Sequence, residues 1–139
     1  MNLSHRFRVD VSNSPSTDLE LQELRNFSRI PLPTDYVELI EQGSEIEILV
    51  DNRMYIRIWG ARVCIEMNKA YSIQNCLGDS LAIGDNEGGS ALVLVPSNDG
   101  IRAGIYLIDF GCLDIDEGVF IAGSLSDLLI NEVGVDLLR

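Results

Sequence analysis

The first third of the chain carries two stretches in which apolar residues recur at helical spacing. In the first stretch, Thr17 and Glu20 fit a capping box, in which each side chain accepts a hydrogen bond from the other residue's backbone amide. Leu21, Leu24 and Phe27 then fall near one face of the helix that this box begins. Two prolines a few residues further on prevent that helix from continuing.

The second stretch follows these prolines and again has the period of an amphipathic helix. Thr34 is its predicted N-cap, because a hydroxyl at that position accepts a hydrogen bond from a free amide of the first turn. The final glycine of the stripe is expected to end the helix in a left-handed conformation. The stripe consists of Tyr36, Leu39, Ile40 and Gly43.

From residue 45 onward the period changes from helical to alternating. Residues 45–50 and 54–58 have the pattern of half-buried strands, and Asp51 and Asn52 between them suit a tight turn. The two segments therefore predict an antiparallel hairpin. Apolar residues then return to helical spacing, which predicts a helix over residues 61–74.

Three short apolar segments follow, each bounded by turn residues, and they predict a meander of strands. A glycine-rich turn at residues 85–89 separates the first two and is expected to need positive φ angles. The chain then passes through a loop at residues 110–120 and enters a last amphipathic helix near Ser124. The three predicted strands are residues 81–84, 91–95 and 104–109.

Together these elements predict an α+β fold with a mostly antiparallel, meandering sheet and flanking helices. Residues 1–16 lack a clear period and end in loop-forming residues, so they are assigned to a flexible N-terminal arm. Residues 17–139 are assigned to a single domain, because no repeat or linker divides them. The closing segment 135–138 is expected to pack on its own core or on a second chain, which leaves both a monomer and a homodimer open.

Charge is the most informative feature of the composition. The chain has 22 acidic residues against 10 basic ones, a formal net charge of −12. Residues 1–74 contribute eleven acids and eight bases, a net of −3, whereas residues 75–139 contribute eleven acids and two bases, a net of −9. The second half would repel nucleic acid and attract a basic protein. An acidic surface also serves simply to keep a protein soluble, and that interpretation stays open.

Two further features bear on the compartment. No apolar run approaches the roughly 18–20 residues that span a bilayer, and the first fifteen residues lack the apolar centre of a secretory signal. The three cysteines, Cys64, Cys76 and Cys112, form no C-x-x-C pair, so we expect buried free thiols instead of disulfides or a zinc site. These observations predict a cytoplasmic protein that does not enter a membrane.

Few residues offer catalytic chemistry. His5 is the only histidine and lies in the predicted arm, and Lys69 is the only lysine and follows no phosphate-binding glycine motif. The acidic groups at 85–87 and 114–117 lack the spacing of a calcium-binding EF-hand loop. We therefore expect no enzyme activity, no cofactor and no metal. A pair of carboxylates assembled from distant positions is not visible in a sequence, so an enzyme with an unrecognised site remains one alternative.

Three segments, in this order and spacing, carry a likeness to a known family. They are Leu32–Ile40 (LPTDYVELI), Leu81–Gly89 (LAIGDNEGG) and Ile121–Leu129 (IAGSLSDLL). On these residues the sequence resembles the SUKH superfamily, which contains bacterial immunity proteins and fungal cell-wall-assembly regulators. The chain departs from the family pattern in having Leu125 where the family prefers phenylalanine.

The resemblance implies an α+β domain that acts by binding another protein. Many bacterial members are immunity proteins that neutralise a toxin, often a nuclease, and a nuclease is basic where it holds phosphate. We therefore expect an acidic inhibitor that occludes a basic toxin domain. Trp59 would anchor the interface if it is exposed, although a tryptophan near a strand end is more often part of the core. The candidate partner-binding residues are Asp85, Glu87, Asp114, Asp116, Glu117 and Trp59.

A second interpretation follows from the fungal relatives that the resemblance includes. It is a regulatory or scaffolding interaction domain that has no toxin partner. The position of the gene distinguishes the two, since an immunity gene is expected directly beside a toxin gene.

Overall fold

Strands that follow one another along the chain are also neighbours in the sheet. The computed structural model describes residues 1–139 and contains one seven-stranded sheet in the order β1 to β7, with every adjacent pair antiparallel. This is the predicted meander, and it confirms the α+β fold class. The strands are β1 Phe7–Asn13, β2 Ser44–Val50, β3 Met54–Ile58, β4 Leu81–Asp85, β5 Ser90–Val95, β6 Gly104–Asp109 and β7 Val119–Ala122.

Five α-helices accompany the sheet, together with two single-turn 3₁₀ helices at Ile115–Glu117 and Val135–Leu137. The predicted capping box is confirmed: the Glu20 amide donates to Thr17 Oγ1 at 3.1 Å, and the Thr17 amide donates to Glu20 Oε1 at 2.9 Å. The helices are α1 Asp18–Phe27, α2 Thr34–Ile40, α3 Ala61–Ala70, α4 Ile73–Leu77 and α5 Leu125–Leu129.

The N-terminal segment is not the flexible arm that the sequence predicted. Residues 7–13 form β1, which pairs with β2 at one edge of the sheet. Phe7 is buried in the core, and the Ser4 amide donates to the Leu129 carbonyl at 2.8 Å. The folded domain therefore includes residues that precede residue 17 in the sequence, because one buried aromatic ring and the backbone pairing hold this segment in place.

Three element boundaries also differ from the prediction. Pro33, not Thr34, caps α2, and Gly43 does not adopt a left-handed conformation. The predicted helix over residues 61–74 is divided at Ser72, whose φ of 52° lies in the left-handed region. The predicted loop at 110–120 is shorter, because β7 begins at Val119 and pairs with β6.

The tightly packed centre of the molecule joins helices to the sheet. The hydroxyl of Tyr36 in α2 donates to the carbonyl of Trp59 at 2.7 Å, and both rings are almost fully buried. At the C-terminus, Val135 and Leu138 are buried in the chain's own core. The closing segment therefore packs on its own domain, which was one of the two possibilities that the sequence left open. No helix is both long enough and apolar enough to cross a membrane.

The sheet is narrowest between β3 and β4, which share only the pairs Arg57–Asp85 and Ile58–Gly84. Beyond these two pairs, the side chain of Asn68 in helix α3 replaces the backbone of β3 as the hydrogen-bonding partner of β4. The side chain of Asn68 donates to the Ala82 carbonyl at 2.8 Å and accepts from the Ala82 amide at 3.0 Å. A side-chain amide can replace a backbone partner in this way because it carries both a donor and an acceptor.

The three cysteines fall into two classes, so the expectation of three buried thiols is wrong for two of them. Cys64 is fully buried, whereas Cys76 and Cys112 are exposed. Burial raises the pKa of the Cys64 thiol to about 12, against opposing hydrogen bonds from Tyr36 and Asn68.

We therefore expect two of the three thiols to react with a thiol reagent in the native protein. Cys64 is expected to react only after unfolding, because both access and thiolate formation are suppressed. Titration with a chromogenic disulfide reagent, with and without denaturant, measures this difference. Reaction of all three thiols at one rate in the native state would contradict the described burial.

Candidate functional site

The β4–β5 turn and the end of β6 lie at the same end of the sheet. The turn between β4 and β5 occupies residues 86–89, and the segment that follows β6 begins at Phe110. Ser90 pairs with Asp109, and the Phe110 amide donates to the Gly89 carbonyl at 3.0 Å. The antiparallel meander thus brings together groups that are more than twenty residues apart in the sequence.

Four exposed carboxylates, one at the end of β6 and three in the loop that follows it, define what we call the acidic end: Asp109, Asp114, Asp116 and Glu117. Asp109 accepts from the Gly111 amide at 2.6 Å, and Asp114 caps the 3₁₀ turn by accepting from the Asp116 amide at 3.0 Å. The ion pairs of the structure use none of the four. Their negative charge is therefore balanced by no basic side chain of this chain and is available to an external cation.

Asp109 was not among the candidate residues from the sequence, because it was assigned to the end of a strand. Its position two residues before Gly111 and just ahead of an acidic loop was the available signal. The structure leaves this last residue of β6 exposed, whereas the five residues before it are buried.

Two of the sequence candidates, Trp59 and Asp85, are not on the surface. Trp59 is 1% exposed and Asp85 is 9% exposed, and the indole Nε1 donates to the Asp85 carboxylate at 2.9 Å. The other oxygen of Asp85 accepts from the Glu87 amide at 2.8 Å. The expectation that these residues contact a partner is therefore corrected: the pair joins the end of β3 to the β4–β5 turn, and it shapes the turn from within.

Glu87 is exposed in the β4–β5 turn, two residues after Asp85 of the buried pair. Its carboxylate is 3.1 Å from the guanidinium of Arg57, which is also 3.3 Å from Glu47. Partial burial raises the pKa of Glu87, the charge of Arg57 opposes this effect, and the neighbouring carboxylates of Glu47 and Asp85 add to it. Glu87 is consequently less free to bind an external cation than the four carboxylates of the acidic end.

A cleft of about 560 Å³ opens beside Glu87 and has a mixed lining. Tyr55 is 37% exposed and Met54 is partly buried, so both present apolar surface to solvent. Neither arginine of the cleft forms an ion pair within the chain. The cleft is lined by Arg53, Met54, Tyr55, Asn86, Glu87, Gly88 and Arg139.

A second cleft, of about 420 Å³, lies where the first turns of α1 and α3 meet. It contains two carboxylates, Glu20 and Glu45, together with Arg62. Glu20 accepts from the Thr17 amide, and Glu45 accepts from the Gly60 amide at 3.0 Å. Both carboxylates thus satisfy free amides at helix starts, which accounts for their position without a reaction.

No other group of side chains adds obvious chemistry. The single histidine, His5, is exposed and lies 3.7 Å from Glu132. No cluster of three or more His, Cys, Asp or Glu side chains has the arrangement of a metal site. Comparison of the sequence with models of known protein families and with curated proteins finds no match.

Proposed function

We propose that this chain is a protein-binding domain whose acidic end captures a basic partner protein. The observation that carries the proposal is the group of exposed carboxylates at Asp109, Asp114, Asp116 and Glu117, none of which is paired with a basic side chain of the chain itself. Unpaired charge of one sign on an exposed surface steers a partner of the opposite sign and accelerates its association.

The neighbouring cleft supplies the other component that a protein interface needs. Charged residues guide encounter, but most binding free energy comes from a few aromatic, arginine and methionine side chains that become buried. Tyr55, Met54, Arg53 and Arg139 are residues of this kind, and they line one opening beside the β4–β5 turn. We therefore place the centre of the interface at this cleft and its electrostatic rim at the acidic end.

The biological role that we propose is that of an immunity protein, which neutralises a toxin by occluding it. This role rests on the resemblance of three sequence segments to the SUKH superfamily and on the charge of residues 75–139. A nuclease toxin must expose basic groups to hold phosphate, and an acidic domain competes for the same groups. Occlusion requires no catalytic residue on the inhibitor.

Reversing charge at the acidic end is expected to slow association with the partner. In the triple variant Asp114→Lys, Asp116→Lys, Glu117→Lys, the association rate constant at low ionic strength should fall about tenfold or more. Its dependence on salt should also become weaker, because fewer opposite charges remain to be screened. Stopped-flow or surface-plasmon kinetics over a series of salt concentrations measures both effects.

The matched control reverses three other exposed acids, in the variant Glu23→Lys, Glu38→Lys, Glu41→Lys. These residues lie on or beside α1 and α2 and form no ion pairs within the chain. Both triple variants change the net charge by the same amount. A general effect of charge would therefore slow association equally in the two variants, whereas a local effect of the acidic end would slow it only in the first. Equal association rates for the two variants would refute capture by the acidic end.

A further inference from the structure

The two edge strands of the sheet, β1 and β7, differ in their contacts with the rest of the chain. At the β7 edge, the C-terminal segment lies against the strand at Gly134, where an added Cβ would overlap the carbonyl oxygen of Ile121. At the β1 edge, every residue from Arg8 to Asn13 is exposed. The chain's own tail therefore lies against one edge strand, whereas the other edge strand is exposed from Arg8 to Asn13.

The open edge presents unpaired backbone groups. The Arg6 carbonyl accepts from the Asp51 amide at 2.9 Å, so it points toward β2. Backbone groups alternate in direction along an antiparallel strand, so those of Arg8 also face β2 and those of Val9 face outward. An extended strand with free outward amides and carbonyls is a template for pairing with another strand.

The side chains of the same segment are complementary to their own copy. An antiparallel pairing with its two-fold axis at Val9 places Val9 opposite Val9, and it places Arg8 of each copy opposite Asp10 of the other. Val9 is 46% exposed in the single chain, and this pairing covers it. Arg8 and Asp10 already form an ion pair at 2.6 Å within the chain, so the two pairs would combine into one alternating group of four charges.

We propose that two copies of this chain associate through β1, antiparallel about Val9, and form one continuous fourteen-stranded sheet. An isologous contact of this kind is closed by its two-fold axis and does not lead to further assembly. The irregularities in the β1–β2 pairing after Val9 and after Val11 limit the contact to the few residues on either side of Val9. The dimer is therefore reversible and depends on protein concentration.

Sedimentation equilibrium from low micromolar to submillimolar concentration tests the association. The wild-type mass should rise from 15.4 kDa toward twice that value. The single variants Arg8→Asp and Asp10→Arg each place like charges opposite one another twice, so each should dimerise at least about tenfold more weakly. An equimolar mixture of these two variants restores both opposite-charge pairs and should dimerise again.

The mixture distinguishes the proposed register from any other contact. Wild-type protein that stays monomeric over the whole range overturns the proposal, as do single variants that dimerise as well as the wild type. Failure of the mixture, with both variants folded by circular dichroism, also overturns the pairing of Arg8 with Asp10.

Cross-linking tests the position of the axis directly. In a background with Cys76→Ser and Cys112→Ser, Val9→Cys should form an intermolecular disulfide, since opposite Cα atoms lie about 5.5 Å apart. Val11→Cys is the control, because Val11 is similarly exposed at 42% but its two copies would lie about 13 Å apart along the strands. Equal cross-linking of both variants overturns the register.

Discussion

Replacing Asn68 with alanine is expected to lower the free energy of unfolding by about 3 kcal/mol or more. Asn68 is fully buried and bonds the amide and the carbonyl of Ala82, the carbonyl of Cys64 and the side chain of Gln74. Alanine leaves the Ala82 amide without a partner and leaves the Ala82 carbonyl only the weak thiol donor of Cys64. A buried unsatisfied polar group costs about 1–3 kcal/mol. The variant therefore weakens the connection between α3 and β4.

Urea unfolding followed by circular dichroism measures the effect. Asn75→Ala is the matched control, because Asn75 is an exposed helical asparagine whose side chain forms no hydrogen bond in the structure. The Asn75 variant should change the free energy of unfolding by no more than about 0.5 kcal/mol. A similar loss for both variants would mean that Asn68 does not hold α3 to the sheet.

Replacing Gly84 with alanine is also expected to lower the free energy of unfolding by about 3 kcal/mol or more. A Cβ at this position would overlap the backbone carbonyl oxygen of Arg57, which belongs to the adjacent strand. A flexible side chain could move aside, but the backbone of β3 cannot move without breaking the two residue pairs that join it to β4. The change therefore acts where the two halves of the sheet are joined most narrowly.

Gly88→Ala provides the control in the same region. A Cβ there would lie 3.4 Å from the Asn86 side chain, and the φ angle of Gly88 is not positive. We expect the free energy of unfolding of this variant to lie within about 0.5 kcal/mol of the wild-type value. Thermal unfolding of the two variants side by side shows the difference, and a Gly84 variant as stable as the Gly88 variant would contradict the described contact.

Much of the fold could be predicted from the sequence because the local residue patterns agree with the tertiary structure. The capping box at Thr17 and Glu20 is a local interaction, so its residues alone identify it. In the β2–β3 hairpin, Asp51 and Asn52 adopt positive φ angles of 52° and 57°, which short polar side chains tolerate. In the β4–β5 turn, positive φ falls on Glu87 and Gly89.

The parts that the sequence did not predict depend on distant contacts. The alternation of Phe7, Val9 and Val11 with polar residues was a strand signal, but an edge strand with a single buried side chain has a weak pattern. The break between α3 and α4 occurs at Ser72, without a glycine or proline to mark it.

The candidate site shows the same limit. Asp114, Asp116 and Glu117 were assigned to a loop, and they lie on an exposed 3₁₀ turn and the residue before it. The pairing of Trp59 with Asp85 joins residues 26 positions apart, and only the β3–β4 register brings them together. A sequence shows that a tryptophan and a carboxylate are present, but not that they satisfy each other inside the molecule.

Capture of the partner with three baits tests the proposed function most directly. The baits are the wild type, the acidic-end variant with lysine at 114, 116 and 117, and the control variant with lysine at 23, 38 and 41. Each is incubated with lysate of the native organism at moderate salt, and bound proteins are quantified by mass spectrometry. We predict that the wild type and the control retain the same basic protein in near-stoichiometric amount, and that the acidic-end variant loses it. Equal retention by all three baits would contradict binding through the acidic end.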